Sequence, residues 1–404
     1  MTSMTIEADQ NPNFPASPHP HSLPTAPWEA IPDNQILHDP VFLELVQTMF
    51  ASMPPERQMQ VKRLGQQNYE YVRSSRDKLL TKITDRLCNN AASALFGGSE
   101  KRRAVFVVGE SDSGKTRALQ ELVAGREEFK PRRTSAGWAK TFVHWDAPKP
   151  LTMKGFALKG LAACGYAVEE NARYTERELF ELLKEQIREK RIIFMWIDEM
   201  QHVLNAKTEA EIQNVSDIIK SLLQIPGWPL HMILSGVPTL ANFLAPEDGD
   251  RQLRNRSYLV HLGKMKASNS DMMLKLQNRI MKKAGVQMGE TDTPSFMERL
   301  TYASFGAFGT MVKRMQAAAS EALFEAEIAM GGANSRDVTA PVVVGLNHYA
   351  GVYELETGST KAQNIFLAGE TEWKNISPLA AIDDIRDGLP KPKEGRRQQK
   401  KGGR

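Results

Sequence analysis

The residues best suited to chemistry in this chain are Gly109-Glu110-Ser111-Asp112-Ser113-Gly114-Lys115-Thr116, which fit the pattern G-x-x-x-x-G-K-[ST]. The glycines let the backbone wrap closely around a phosphate, and successive N–H groups leading into a helix N-terminus supply positive potential. Lys115 is placed to reach the β- and γ-phosphates, and Thr116 to set its hydroxyl on a magnesium ion. ATP and Mg2+ are therefore the ligands this octet calls for. A second chemical element is the apolar run Arg191–Ile197, which ends in the carboxylates Asp198 and Glu199. At the end of a strand, Asp198 would hold Mg2+ through water and Glu199 would polarise the water that attacks the γ-phosphate. Such a pair implies hydrolysis as well as binding. Ser235, at the end of the run that starts at His231, has room in this scheme between the acids and the γ-phosphate, although a strand-ending serine also serves as a plain turn former.

These groups need a scaffold that brings distant segments to one edge. Ala104–Val108, directly before the octet, is a short continuous apolar run of the kind a buried parallel strand requires. Similar runs occur at Thr141–Trp145, Ile192–Ile197, Met232–Leu234 and Tyr258–Leu262. Amphipathic helices separate them. Thr175 and Glu178 form a capping box ahead of Leu179, Leu182, Leu183 and Ile187, and Ile212, Val215, Ile218, Ile219 and Leu222 mark a helix that ends before Pro226-Gly227. Alternating strands and helices predict a doubly wound α/β sheet. After Gly263 the strand signals stop, and residues 272–284, 294–303 and 310–329 read as helices of a small lid.

The expected organisation is a Pro-rich disordered start over 1–38, a helical extension over 39–100, a nucleotide-binding α/β domain over 101–263, the lid over 264–335 and a C-terminal extension over 336–404. The first segment has too little apolar periodicity to offset its ordering entropy. From about Ala350 the patterning is weak, which predicts an extended or partner-docking tail that ends in Lys391, Lys393, Arg396, Arg397, Lys400, Lys401 and Arg404. The composition of the 404 residues, 41% hydrophobic and 25% charged, suits a globular protein with polar ends. No run has the apolar length of a membrane span, and the acidic, Pro-rich start lacks the features of a secretory signal, so a cytoplasmic location is expected. Cys88 and Cys164 have no paired spacing for zinc or redox work and read as buried reduced thiols. A net charge of +4 is too small to establish nucleic-acid binding by itself.

The order of the octet, Ile197-Asp198-Glu199, Ser235-Gly236-Val237-Pro238-Thr239-Leu240 and Gln252-Leu253-Arg254-Asn255-Arg256 resembles the AAA+ ATPase regulators of DNA transposition, the TniB/TnsC group of Tn7-like elements, and more distantly the phage Mu B protein. The likeness covers about residues 40–330. Its first two motifs occur throughout P-loop ATPases; the Ser235–Leu240 and Gln252–Arg256 segments carry the specific part. The resemblance implies an AAA+ parallel sheet with flanking helices and a helical lid. It also implies a protein that binds ATP, assembles as a hexameric or heptameric ring or a helical filament on double-stranded DNA, engages transposase subunits and a target-selector protein, and disassembles on hydrolysis. Carried over by position, Lys115 and Thr116 are the phosphate and metal ligands, Asp198 and Glu199 the acidic pair, and Ser235 the polar sensor. Arg256 is the first choice for a finger that reaches a neighbouring subunit's γ-phosphate, with Arg254 and Arg251 as competitors.

The lid segment reads Gly306-Ala307-Phe308-Gly309-Thr310, so the family's sensor arginine is missing at 310; either Lys313 or Arg314 replaces it, or the lid senses nucleotide less directly. For DNA, the resemblance points to Lys130, Arg132, Arg133, Lys140, Lys149, Lys154 and Lys159 as a pore lining that contacts phosphates with little sequence preference. Without that resemblance the same lysines read equally as a solvated face. Two competing readings share the nucleotide motifs. A replication-type initiator or helicase loader would carry a helix-turn-helix or winged domain after the lid, and a STAND-like switch would carry repeats or an effector domain.

Overall fold

All five residues of β1 (Ala104–Val108) are buried, as an apolar run covered on both faces must be. The computed structural model describes residues 40–69, 71–149, 152–169, 173–203, 209–244, 252–329 and 341–387; the Pro-rich start and the basic tail lie outside them. Helices α1 (Pro40–Ala51), α2 (Pro55–Tyr69) and α3 (Ser75–Ser93) precede the sheet, and α4 (Lys115–Ala124) follows β1. A short ribbon of β2 (Arg132–Thr134) and β3 (Gly137–Ala139) then leads into β4 (Phe142–Asp146), α5 (Met153–Ala163), α6 (Glu176–Glu189), β5 (Phe194–Asp198), α7 (Glu209–Leu222), β6 (His231–Gly236), α8 (Gln252–Asn255) and β7 (Ser257–His261). The C-terminal part holds α9 (Ser270–Ala284), β8 (Gln287–Met288), α10 (Pro294–Ala303), α11 (Phe308–Ala329), β9 (Val343–Val344), α12 (Leu346–Thr357) and α13 (Ala380–Asp387).

The main sheet has the order β4-β5-β6-β1-β7, and all of its pairings are parallel. This is a P-loop AAA+ fold, a five-stranded parallel sheet with flanking helices and helical regions before and after it. The two-residue period of a strand splits β1, β4, β5 and β6 between two cores. Ala104, Phe106, Val108, Met195, Ile197, Met232 and Leu234 face α5, α6 and α7 through Phe156, Leu161, Leu183, Ile187, Val215 and Ile219. Val105, Val107, Phe194, Trp196 and Ile233 face the other way, onto Leu80 and Leu87 of α3 and Leu119 and Val123 of α4. Helix α3, opened by a Ser74–Asp77 capping box, is thus packed onto the sheet.

A third core lies in the C-terminal helices, and it corrects the expectation of an extended tail. Tyr349 and Tyr353 of α12, with Ile365, Phe366 and Trp373, pack among Met273, Leu276, Phe296, Leu300, Met311 and Met315. Gln277 donates from Nε2 to the Tyr349 hydroxyl at 2.9 Å, and Arg299 donates to the carbonyls of Phe366, Ala368 and Gly369 at 3.1–3.2 Å. Leu346, Tyr349, Ala350 and Tyr353 carry helical spacing that the glycine at 351 and the polar residues between them obscure. Strand signals also do not end at Gly263, since β8 and β9 pair in parallel through Gln287–Val343 and Met288–Val344. Both cysteines are buried and free. No helix among the described residues is long and apolar enough to cross a membrane.

His231 opens β6 at 1% exposure, beside the Phe194 ring. Burial first, and the nearby Arg103 charge second, push its imidazole down to about 4. The unfolded chain would titrate near 6.5, so below that pH unfolding takes up a proton that the folded state refuses. Stability is therefore full above pH 6.5 and falls as pH drops towards 4, by about 1 kcal/mol for this group between pH 7.5 and 5.5. Urea denaturation at the two pH values should show that loss, and His231→Phe should reduce it.

Candidate nucleotide site

Parallel register brings the chemical residues to one edge of the sheet. Val108 at the end of β1 lies level with Gly236 of β6 and His261 of β7, and Ile197 of β5 lies level with Leu234. The octet leaves β1 there, anchored by a bond from the Gly109 N–H to the Gly236 carbonyl at 3.1 Å. Asp112 at φ 55° and Gly114 at φ 78° turn the loop tightly before α4 begins at Lys115. Lys115 is buried and donates from Nζ to the carbonyls of Gly109 at 2.8 Å and Glu110 at 3.0 Å. Its ammonium thus closes back over the loop. Burial lowers its pKa, against which the charges of Asp198 and Glu199 act.

Asp198 is only 1% exposed, and three donors surround it. Thr116 Oγ1 donates to Oδ2 at 2.6 Å, while the Ser235 hydroxyl at 2.5 Å and the Glu199 N–H at 2.8 Å donate to Oδ1. Behind Ser235, the Trp196 indole donates to its Oγ at 2.7 Å. Glu199 adopts φ 56°, which is uncommon for a glutamate and re-aims its carboxylate away from the strand direction. That carboxylate accepts from Gln201 Nε2 and lies 3.6 Å from His202 Nε2. Gln201 Oε1 accepts in turn from the Val237 N–H at 3.2 Å, which ties the acid to the turn after β6. Gln201 and Trp196 were not among the residues expected from sequence; only their closeness to the acidic pair marks them there.

The donor set fits Mg2+ with phosphate oxygens. A hydroxyl and a carboxylate are hard oxygen ligands, and magnesium characteristically takes one or two protein oxygens alongside substrate phosphates. Among the described residues no group of three or more His, Cys, Asp or Glu could hold a metal ion alone. Thr116 and Asp198 are the residues that would hold it.

The lid meets the phosphate loop through its backbone. Gly309, in the first turn of α11, donates its N–H to the Asp112 carbonyl at 2.7 Å. A Cβ at this position would stand 2.6 Å from that oxygen, so glycine is required by the closeness of the approach. Lys313 Nζ lies 3.6 Å from the Asp112 carboxylate, exposed at the mouth of the loop. Arg314 does not reach the loop, which corrects its assignment to the nucleotide. It is 6% exposed, bonded to Glu356 at 2.6 Å and to the Ala303 carbonyl at 2.8 Å, and stacked over Tyr353. Glu356 and Tyr353 belong to α12, and Ala303 ends α10. Arg76, also unforeseen, joins α3 to the loop by donating to the Ser113 carbonyl at 2.9 Å and the Gly263 carbonyl at 3.1 Å, with its guanidinium over Phe308.

The arginines of the Gln252–Arg256 segment lie at the opposite edge of the sheet. The Arg256 carbonyl accepts from the N–H groups of Arg103 and Ala104, where β1 begins, so a strand length of about 16 Å separates it from its own phosphate loop. Arg254 is exposed; Arg256 is half-buried with its guanidinium against Gln224. Arg251 lies outside the described residues.

The seven basic candidates for DNA contact do not form one stripe. Arg132 and Arg133 are exposed on the β2–β3 ribbon at the start of β4, while Lys149 is exposed just beyond its other end and Lys154 and Lys159 are exposed on α5. Lys130 pairs with Glu127 at 2.6 Å, and Arg132 donates to the Glu127 carbonyl at 2.8 Å. Lys140 is withdrawn from this role, because it is half-buried and donates to the Ala163 carbonyl at 2.8 Å.

Residues 99–244 match the family model of the AAA domain. No curated protein matches the chain. Among solved structures it is similar to Cdc6p from Pyrobaculum aerophilum, with 12% identity over 79% of this chain and 88% of that one and a TM-score of 0.45. It is also similar to the ORC2 protein of Aeropyrum pernix in ADPNP and ADP complexes, with 15% identity over 71% and 68% and a TM-score of 0.45. A third is Hsp104 in its closed state with ATPγS and casein, with 12% identity over 72% and 44% and a TM-score of 0.39. The phosphate loop at the edge of a parallel sheet and the family match over the same segment make residues 99–244 an AAA domain.

Proposed function

We propose that this protein is an ATPase that uses ATP with Mg2+ to time its own assembly on double-stranded DNA, and that it serves as a regulator of transposition. The observation that carries the ATPase reading is the convergence of Lys115, Thr116, Asp198, Glu199 and Ser235 at one edge of the sheet. Bound Mg2+ would supply charge neutralisation between the phosphates. The chain's own groups do the rest. Lys115 and the loop N–H groups bind and orient the phosphates, Asp198 orders the Thr116 hydroxyl, and Glu199, once released from Gln201, accepts a proton from the attacking water.

The separation of this edge from Arg254 and Arg256 supports the assembly reading. Neither arginine can serve the loop of its own chain, so a role in ATP chemistry requires a second copy placed against that loop. Arg254, exposed and ahead of β7, is the freer of the two for this contact. Transposition rests on the resemblance of the Ser235–Leu240 and Gln252–Arg256 segments, with transposase subunits and a target-selector protein as partners. For DNA, Arg132, Arg133, Lys149, Lys154 and Lys159 remain as exposed cations.

Electron microscopy with duplex DNA, with and without a slowly hydrolysed ATP analogue, tests this directly: rings or helices that need both are expected, and their absence would sink the assembly reading. Lys115→Ala should weaken ATP binding by about a hundredfold or more and abolish such assemblies. Glu199→Gln should assemble normally but turn over about 10²–10⁴-fold more slowly, measured as phosphate release. Gly309→Ala, which forces a methyl against the Asp112 carbonyl, should weaken nucleotide binding by about tenfold while the sheet domain keeps its fold, checked by a binding titration and circular dichroism.

A further inference from the structure

The hydrogen bonds around Asp198 have a direction, and Trp196 sets it. An indole N–H can only donate. The Ser235 oxygen must therefore accept from Trp196, and its single proton goes onward to Asp198 Oδ1. The carboxylate accepts from Ser235 and the Glu199 N–H on one oxygen and from Thr116 on the other. Thr116 thus turns its proton inward and keeps its oxygen lone pairs for a cation.

Trp196 is well held for this task. It lies two residues before Asp198 on β5, and the period of two puts both on one face of the strand. The indole is 1% exposed and stacks on the His144 ring, with centroids 3.9 Å apart and planes inclined by 25°. Its N–H has a fixed aim. With its proton committed to Asp198, the Ser235 hydroxyl does not at the same time donate to a γ-phosphate.

We propose that Trp196 is a positioning residue for the metal ligand Thr116, acting through the ordered chain from Trp196 to Ser235 to Asp198, which Thr116 joins from the other side. The inference rests on the ATP and Mg2+ reading above. Without the indole donor, Ser235 is free to rotate, Asp198 loses its alignment, and Thr116 no longer presents an acceptor of fixed orientation. Nucleotide contacts made by the loop backbone and Lys115 are untouched.

The test is a Mg2+ titration of a fluorescent ATP analogue bound to the full chain, for the wild type, Trp196→Phe, Ser235→Ala and the double variant. Trp196→Phe should raise the Mg2+ midpoint about tenfold, the loss expected for one hydrogen bond in a charged network, while metal-free nucleotide affinity stays within about twofold. Ser235→Ala should raise the Mg2+ midpoint as well, and the double variant should raise it no further than either, because both sit in one chain. An unchanged midpoint in folded Trp196→Phe, or shifts that multiply in the double variant, would overturn the proposal. A second measurement does not need Trp196→Phe to fold: with 15N-labelled indoles, one exchange-protected N–H signal of the ligand-free protein should move upfield in Ser235→Ala. If no indole signal responds to that substitution, the chain does not exist. A wild type that binds no nucleotide would end the ATP reading instead, and the indole measurement would still decide this one.

Discussion

A carboxylate can stay inside a protein only where donors replace the water it has lost. Asp198 meets that demand with Thr116, Ser235 and the Glu199 N–H, and the arrangement of the sheet follows from it. Ser235 can reach Asp198 because β6 lies directly beside β5, and Thr116 can because β1, which launches α4, lies next to β6. Removing one hydrogen-bond donor from a buried charge costs about 1.5–3 kcal/mol, a sizeable part of a domain's net stability. The group that orders the metal ligand is thus also a reason for the strand order around it.

The same edge shows how binding and chemistry are kept apart. Lys115 folds over the loop and Glu199 is held by Gln201, so both charged side chains rest on neutral partners within the protein. Each must exchange those partners for substrate or water before a reaction can begin. Gln201 makes that exchange sensitive to the turn after β6, because its own orientation is fixed by the Val237 N–H. The positive φ at Glu199 is the local backbone strain that makes this geometry reachable.

Much of this was legible in the sequence because it is local. The octet is a contiguous loop whose neighbours announce a strand and a helix, and each of the five main strands overlaps a short, largely apolar run set between helical patterns. The residues that escaped notice act across long separations. Gln201 matters through Val237, Arg76 through Ser113 and Gly263, and Arg314 through Glu356; none of these pairings leaves a trace in spacing. Lys140 reads as a surface cation until the carbonyl of Ala163 is seen to take it. The β2–β3 ribbon has three-residue strands with almost no buried side chains, so it lacks the alternation by which strands are recognised. The lid's extra helix carries its apolar spacing in tyrosines and alanine, a signal faint beside the leucine-rich helices elsewhere.

The junction between lid and phosphate loop is written in main-chain atoms. Once glycine stands at 309, the Gly309 N–H and the Asp112 carbonyl meet whatever the other side chains around them, so the contact depends on the path of the backbone. Substitutions can drift through most of the adjoining positions without touching it. Insertions or deletions between β7 and α11 would displace it at once. Communication between the two parts of the molecule is therefore conferred by chain length and register, a kind of information that a comparison of residue types, position by position, would pass over.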